Sequence, residues 1–186
     1  LSLSNTYEKR VIEDADLVIL EINPNFPYTY GDLELSLNEV DYLIEADYLP
    51  PVLPEGDFNE KDQAIGQFIA DHINDGDCIQ LGIGGIPNAV AASLTHKKDL
   101  GVHTEMLTTG LMKLAKMGVI TGKKKQQQKG KMICTFAMGT AELYDFLDHN
   151  PAVNVLNGAY VNDPHIIGLN DNMISINTTL EVDLTG

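Results

Sequence analysis

Basic side chains are scarce in this sequence: 12 Lys and Arg stand against 27 Asp and Glu, a formal charge of -15. A field of that sign repels polyphosphate backbones and anionic lipid surfaces over long range. Nucleic acid and membranes are therefore not expected partners, and an anionic ligand must be held locally, by backbone amides or a few placed lysines. Long hydrophobic runs are absent as well. None approaches the roughly 20 residues that a membrane helix needs, and no signal-peptide pattern precedes the first strand-like segment. Cysteine is limited to Cys78 and Cys134. Each lies inside an apolar strand-like run, which suits a reduced core thiol better than a disulfide or a metal pair; a soluble, cytoplasmic protein is expected. The chain also lacks an initiator methionine, opening at Leu1 in "LSLSNTY" and stopping at Gly186 just after "ISINTTLEVDLTG". A piece of a longer protein is the expectation.

What is present suffices for a real core: 44% of the 186 residues are hydrophobic, the bulk of one ordinary domain or of parts of two. "ADLVILEINP" (15–24) is a continuous β-branched run closed by Asn-Pro, the pattern of a buried strand. "NPNFPYTYGD" reads as a loop and "VDYLIEAD" (40–47) as a second short strand. "YLPPVLPEGD" (48–57) packs three prolines and a glycine into ten positions. It reads as a linker at a domain boundary, dividing the chain into 1–47 and 58–186. Next, "NEKDQAIGQFIADHINDGD" predicts an amphipathic helix, with Ile65, Phe68, Ile69 and Ile73 at helical spacing and acidic residues in the first turn. Beyond it, strands over 78–81, 101–107, 132–136, 153–157 and 172–177 alternate with helices over 87–95, 109–117, 140–148 and 164–169. This alternation predicts an α/β fold, a mostly parallel open sheet with flanking helices on both faces. "KKKQQQKGK" (123–131) reads as a solvated loop.

Chemistry concentrates in "CIQLGIGGIPNAV". The strand ends at Leu81, Gly82, Gly84 and Gly85 make a turn, and Pro87 is placed at the first position of a helix. Such turns bring backbone amides close to a ligand oxygen, at a helix end carrying partial positive charge. The spacing is G-x-G-G-x-P rather than the G-x-G-x-x-G of dinucleotide-binding folds. Glu105, in "LGVHTEML", falls near the carboxyl end of the next strand. In a right-handed βαβ unit the two strand ends share one crevice, where open α/β sheets bind ligands. A carboxylate there can face the glycine loop; a glutamate simply turned to solvent is the bland alternative. His103, two residues earlier, would share the face of Glu105, more as a hydrogen-bonded neighbour than as a base.

Five segments, "EINPNFPYTYGD", "LGIGGIPNAV", "LGVHTEM", "AMGTAELYDFLDHNP" and "YVNDPHIIGLNDNMISINTTLEVDLTG", resemble the acetyl-CoA hydrolase/transferase family, in particular its 4-hydroxybutyrate and butyrate CoA-transferase branch. The resemblance runs in order along essentially the whole chain. It implies two related α/β domains in the full enzyme, 1–47 being the end of the first and 58–186 the first part of the second. It also implies ping-pong transfer of CoA between an acyl-CoA and a small carboxylate such as acetate, butyrate or 4-hydroxybutyrate, through a glutamyl-CoA thioester. The matching nucleophile is Glu105, and the matching CoA-binding segment is Gly82, Ile83, Gly84, Gly85 and Ile86. No metal and no permanently bound cofactor is implied; coenzyme A is a substrate, and a homo-oligomer is left open.

Glu181, in "TLEVDLTG", is the competing carboxylate, with an alternating strand placing it and Asp183 on one face. Lys97 and Lys98 are within reach of CoA phosphates or form a solvated face at a helix C-terminus. An acyl-CoA hydrolase of the same family, a sugar-phosphate isomerase of similar architecture and a non-catalytic binding fragment stay open as alternatives. The acyl group, the acceptor and the balance of transfer against hydrolysis are not fixed by the sequence.

Overall fold

The computed structural model describes residues 1–179 and 181–185. After a helix α1 (Glu8–Asp14), strands β1 (Ile19–Ile22) and β2 (Tyr42–Glu45) pair in parallel, Ile19 opposite Tyr42. The strand expected within 15–24 is present, but its burial is not: Ile19 and Ile22 are exposed, as are Tyr42, Leu43 and Ile44 beside them. A β-branched strand buries its faces only beneath another layer, and no described residues supply one here. Two stretches of this first segment join the larger unit. The Asn5 N–H donates to Thr135 O (2.8 Å), Gly31 bridges Val155, and Leu33 enters the main core. At Gly31, φ is +137° and an added Cβ would lie 2.0 Å from Val155 O, so glycine alone permits the approach.

Then follow α2 (Glu60–Asp71), β3 (Cys78–Leu81), α3 (Gly85–Ser93), β4 (Gly101–His103), β5 (Met106–Leu107), α4 (Thr109–Lys116), β6 (Met132–Cys134), β7 (Phe136–Ala137), α5 (Ala141–Leu147), β8 (Val153–Val155), α6 (Gly158–Val161), α7 (Pro164–Gly168) and β9 (Met173–Ile176). Five of these strands form one parallel sheet in the order β8-β6-β4-β3-β9. The fold is thus the α/β architecture expected. Ile79, Val102, Ile133 and Val155 are fully buried in its strands, which is why these segments read as unbroken apolar runs. The chain steps outward from β3 through β4 and β6 to β8, then crosses back to β9 on the other side of β3. α2, α3, α4 and α5 pack in succession. Right-handed crossovers running in opposite directions carry their helices to opposite faces, so α6 and α7 lie on the other side. The strand order therefore reverses at β3, where open sheets leave a crevice beyond their carboxyl ends.

Several local readings need correction. Phe68 and Ile65 do not form the buried stripe of α2; they are exposed, and the helix buries Gly66 and Ala70 instead. The reason is close helix contact, since a Cβ on Gly66 would lie 2.7 Å from the Ala89 carbonyl carbon of α3. Gly66→Ala should therefore lower the denaturant midpoint. The gain in helix propensity of about 1 kcal/mol is outweighed by overpacking of about 1–3 kcal/mol; a higher midpoint would show that the helices part freely. The 123–131 loop is not wholly solvated either. Lys125 is buried, its stem against Gly101 and its Nζ donating to Val102 O (2.8 Å) and Lys131 O (2.9 Å). Burial pushes its pKa down to about 8. Cys78 and Cys134 are free and buried, as expected, and burial raises their thiols to about 11 and about 12.

The proline-rich stretch 48–57 has neither helix nor strand, yet it is fastened along the helices. The Leu53 N–H donates to Gly139 O (2.8 Å), the Tyr144 hydroxyl to Pro51 O (2.6 Å) and Asn88 Nδ2 to Gly56 O (3.1 Å). Glu55 pairs with Lys113 of α4.

Candidate active site

Glu105 occupies a break that periodicity does not reveal. The strands expected over 101–107 and 132–136 each divide: β4 and β6 pair in the main sheet, while β5 and β7 pair in a separate two-stranded sheet. The interruptions lie side by side, at Thr104 and Glu105 on one chain segment and Thr135 on the other. Three donors fix the Glu105 carbonyl: the Thr135 N–H (2.8 Å), the Phe136 N–H (3.2 Å) and the Thr135 hydroxyl (3.2 Å). The Thr104 hydroxyl donates to Met106 O (3.1 Å) across the kink. The Glu105 side chain is left exposed at the carboxyl end of the sheet, with Oε1 accepting from Asn162 Nδ2 at 3.3 Å. Asn162 ends α6, a helix the sequence reading did not anticipate. Its start is signalled by Asn157, whose side chain caps the Ala159 N–H.

On the other wall is the glycine loop. α3 begins at Gly85, so Pro87 is its third residue rather than its first. A proline is tolerated there because the first-turn amides have no intrahelical acceptor. Gly84 adopts φ 115° and ψ -176°, a region essentially confined to glycine, and no side chain caps the helix. The five loop residues are not equivalent. The Gly82 N–H is engaged by Ile176 O of β9 (2.9 Å). A Cβ on Gly85 would meet the Asp62 carboxylate at 2.9 Å, and neither Gly85 nor Ile86 lines the cavities below. Ile83 and Gly84 do.

Four adjoining cavities form a groove. One of about 240 Å³ and one of about 270 Å³ share Gln80, Glu105 and Asn177. The second shares Ile83 and Met106 with a largely apolar cavity of about 470 Å³. That one shares Glu55, Gly56, Asn88 and Gly110 with a fourth, of about 410 Å³. Glu105 thus stands between a polar recess and a long apolar passage. Ser175 donates to Gln80 Oε1 (2.6 Å) and Gln80 Nε2 to Asn177 Oδ1 (3.1 Å), fixing the recess wall. His103 lines the same recess. Burial lowers its pKa, keeping the ring neutral, and because the Val161 carbonyl can only accept, the proton sits on Nε2 (2.8 Å). It is a bonded wall residue, as read from sequence.

Glu181 is placed differently from expectation. β9 ends at Ile176, the described residues after it form no strand, and Glu181 lines neither cavity that touches Glu105. Lys97 and Lys98 follow the carboxyl end of α3, opposite the glycine loop, where the Lys98 N–H bonds Asp75. The cation that lines the groove is Lys113, whose only sequence signal was its place in the last turn of a helix. No group of three or more His, Cys, Asp or Glu side chains suited to a metal occurs among the described residues, and no described helix is long and apolar enough to cross a membrane.

Comparison with known proteins bears on this arrangement. Residues 139–186 match the family model described as the acetyl-CoA hydrolase/transferase C-terminal domain. The whole chain is 44% identical to 42% of a succinyl-CoA:cyclohexane-1-carboxylate CoA transferase of Geobacter metallireducens. Over 99% of its length it is 46% identical to a 4-hydroxybutyrate coenzyme A transferase of Clostridium kluyveri, of which it covers 43%. Among solved structures, a 4-hydroxybutyrate CoA-transferase from Porphyromonas gingivalis superposes with a TM-score of 0.94 at 40% identity, over 98% of this chain and 47% of that one. RipA from Yersinia pestis gives 0.95 at 39% identity, over 100% and 43%. The chain thus spans less than half the length of the relatives it matches. Its carboxyl-terminal residues match the C-terminal domain of the acetyl-CoA hydrolase/transferase family, and the whole chain is similar to part of several CoA-transferases.

Proposed function

We propose that the protein is a CoA-transferase in which Glu105 is the nucleophile and the Ile83–Gly84 amides are the oxyanion donors. The observation that carries this is the position of the Glu105 carboxylate, at the meeting point of a polar recess and an apolar passage walled by the glycine loop. On this reading the largely apolar passage of about 470 Å³ takes the pantetheine arm and the recess of about 240 Å³ a short acyl group. A carboxylate is a weak nucleophile in water, so it needs positioning and a stabilised oxyanion. The clamped Glu105 carbonyl fixes the backbone, and the Asn162 amide orients one carboxylate oxygen.

The chemistry balances without an external oxidant or base. A Glu105 oxygen attacks the thioester carbon and CoA leaves as thiolate, giving an acyl-glutamyl anhydride. The thiolate attacks the glutamyl carbonyl and releases the acyl group as its carboxylate, leaving glutamyl-CoA thioester. A second carboxylate reverses both steps. The names of the relatives support an acid such as 4-hydroxybutyrate, butyrate or succinate as one partner. The native protein should exchange an isotopically labelled carboxylate into its own acyl-CoA with no second acid present. Exchange that requires a second acid would overturn double displacement, and CoA release at a rate independent of any carboxylate would identify a hydrolase.

A further inference from the structure

Lys113 is the one cation among the described residues lining the four cavities. It lies at the end of the groove remote from Glu105. Gly110 and Lys113 are one helical step apart and so share a face of α4, and both line the fourth cavity. The start of that helix, at Thr108 and Thr109, lines the apolar passage next to it. In a chain of charge -15, a polyanion gains nothing from the overall field and depends on such a local cation. Yet Lys113 is not free. Its ammonium pairs with Glu55, a residue of the fastened proline-rich stretch that walls the same two cavities. Both side chains are substantially solvent-exposed, at 51% and 39%. An ion pair so exposed is weak and easily exchanged, whereas a phosphate offers several charged acceptor oxygens to the same ammonium. Lys116, the next lysine on α4, is engaged by Glu142 and lines none of these cavities.

We infer that Lys113 is the receptor for the phosphate end of the ligand, and that Glu55 occupies it in the ligand-free protein and is displaced on binding. This rests on the CoA-transferase reading, and it makes the 53–57 stretch a strap that the nucleotide end of CoA releases from α4. Lys113 is then a binding residue for the nucleotide portion alone, with no part at the reacting carbon.

Calorimetry with the native protein separates the two claims, using CoA and, as a probe without phosphates, pantetheine. Lys113→Met should weaken CoA binding about tenfold, the size of one lost charge-assisted contact. Lys113→Arg should restore most of it, and Glu55→Gln should tighten CoA binding. Pantetheine should bind all four proteins alike. In turnover, Lys113→Met should raise KM for acyl-CoA with kcat unchanged. Equal CoA affinity in wild type and Lys113→Met, or an equal loss for pantetheine, would overturn the inference while leaving the CoA-transferase reading intact. A wild-type protein that binds no CoA would overturn both.

Discussion

Glu105→Gln in the native protein is expected to lower kcat for acyl transfer by roughly four orders of magnitude, with KM for acyl-CoA little changed. Glutamine keeps the length of the side chain and its hydrogen bond to Asn162, so the groove and its walls are preserved. What disappears is the anionic oxygen that would attack the thioester. Loss of about 6 kcal/mol of transition-state stabilisation corresponds to that change in rate. The split between kcat and KM matters because a substitution that only loosened the groove would raise KM instead. The exposed position of Glu105 and its backbone anchoring by Thr135 and Phe136 mean that the variant should fold normally. Thermal unfolding of the two proteins should coincide, and a variant with normal turnover would show that another carboxylate does the work.

Gly84→Val should reduce kcat/KM by about a hundredfold, the loss expected when catalytic donors shift by about an ångström. At Gly84 the space is open: an added Cβ would meet nothing within 4 Å. The penalty comes instead from the backbone, since φ 115° with ψ -176° excludes a β-branched residue and costs about 1–3 kcal/mol to impose. Rotation of the loop's peptide planes would relieve that strain and, on the proposed assignment, displace the Ile83 and Gly84 amides from the oxyanion. Because the helix that follows is held by Ala89, Val90 and Leu94 in the core, the fold should survive with a modest fall in Tm. Unchanged kcat/KM would show that these amides do not touch the reacting groups.

The sheet was legible because its strands are short apolar runs bounded by glycine, asparagine and aspartate; β3 falls on 78–81 as read. The glycine loop and Glu105 were legible for the same reason, each being an interruption of such a run. The break at Glu105 was not. It depends on Thr135 and Phe136, thirty residues further along, donating to the Glu105 carbonyl, and no local pattern carries that information. Asn162 was missed because its role follows from a crossover that returns α6 to the end of β4. Phe68 was misread because helical spacing does not say which face is buried when small residues, here Gly66 and Ala70, allow a neighbouring helix to approach more closely. Lys125 looked solvated in a run of lysines and glutamines; two backbone carbonyls at the amino end of the sheet draw it inside.

The measurement that tests the central claim most directly is peptide mass spectrometry of the native protein after incubation with acyl-CoA and reduction with borohydride. Borohydride converts a glutamyl-CoA thioester to the corresponding alcohol, a stable mass change at one residue. The modification should appear at Glu105, and it should vanish from that peptide in Glu105→Gln. Modification at Glu181 with Glu105 untouched, or an unmodified protein that still transfers CoA, would contradict the assignment of Glu105 as the residue that carries CoA.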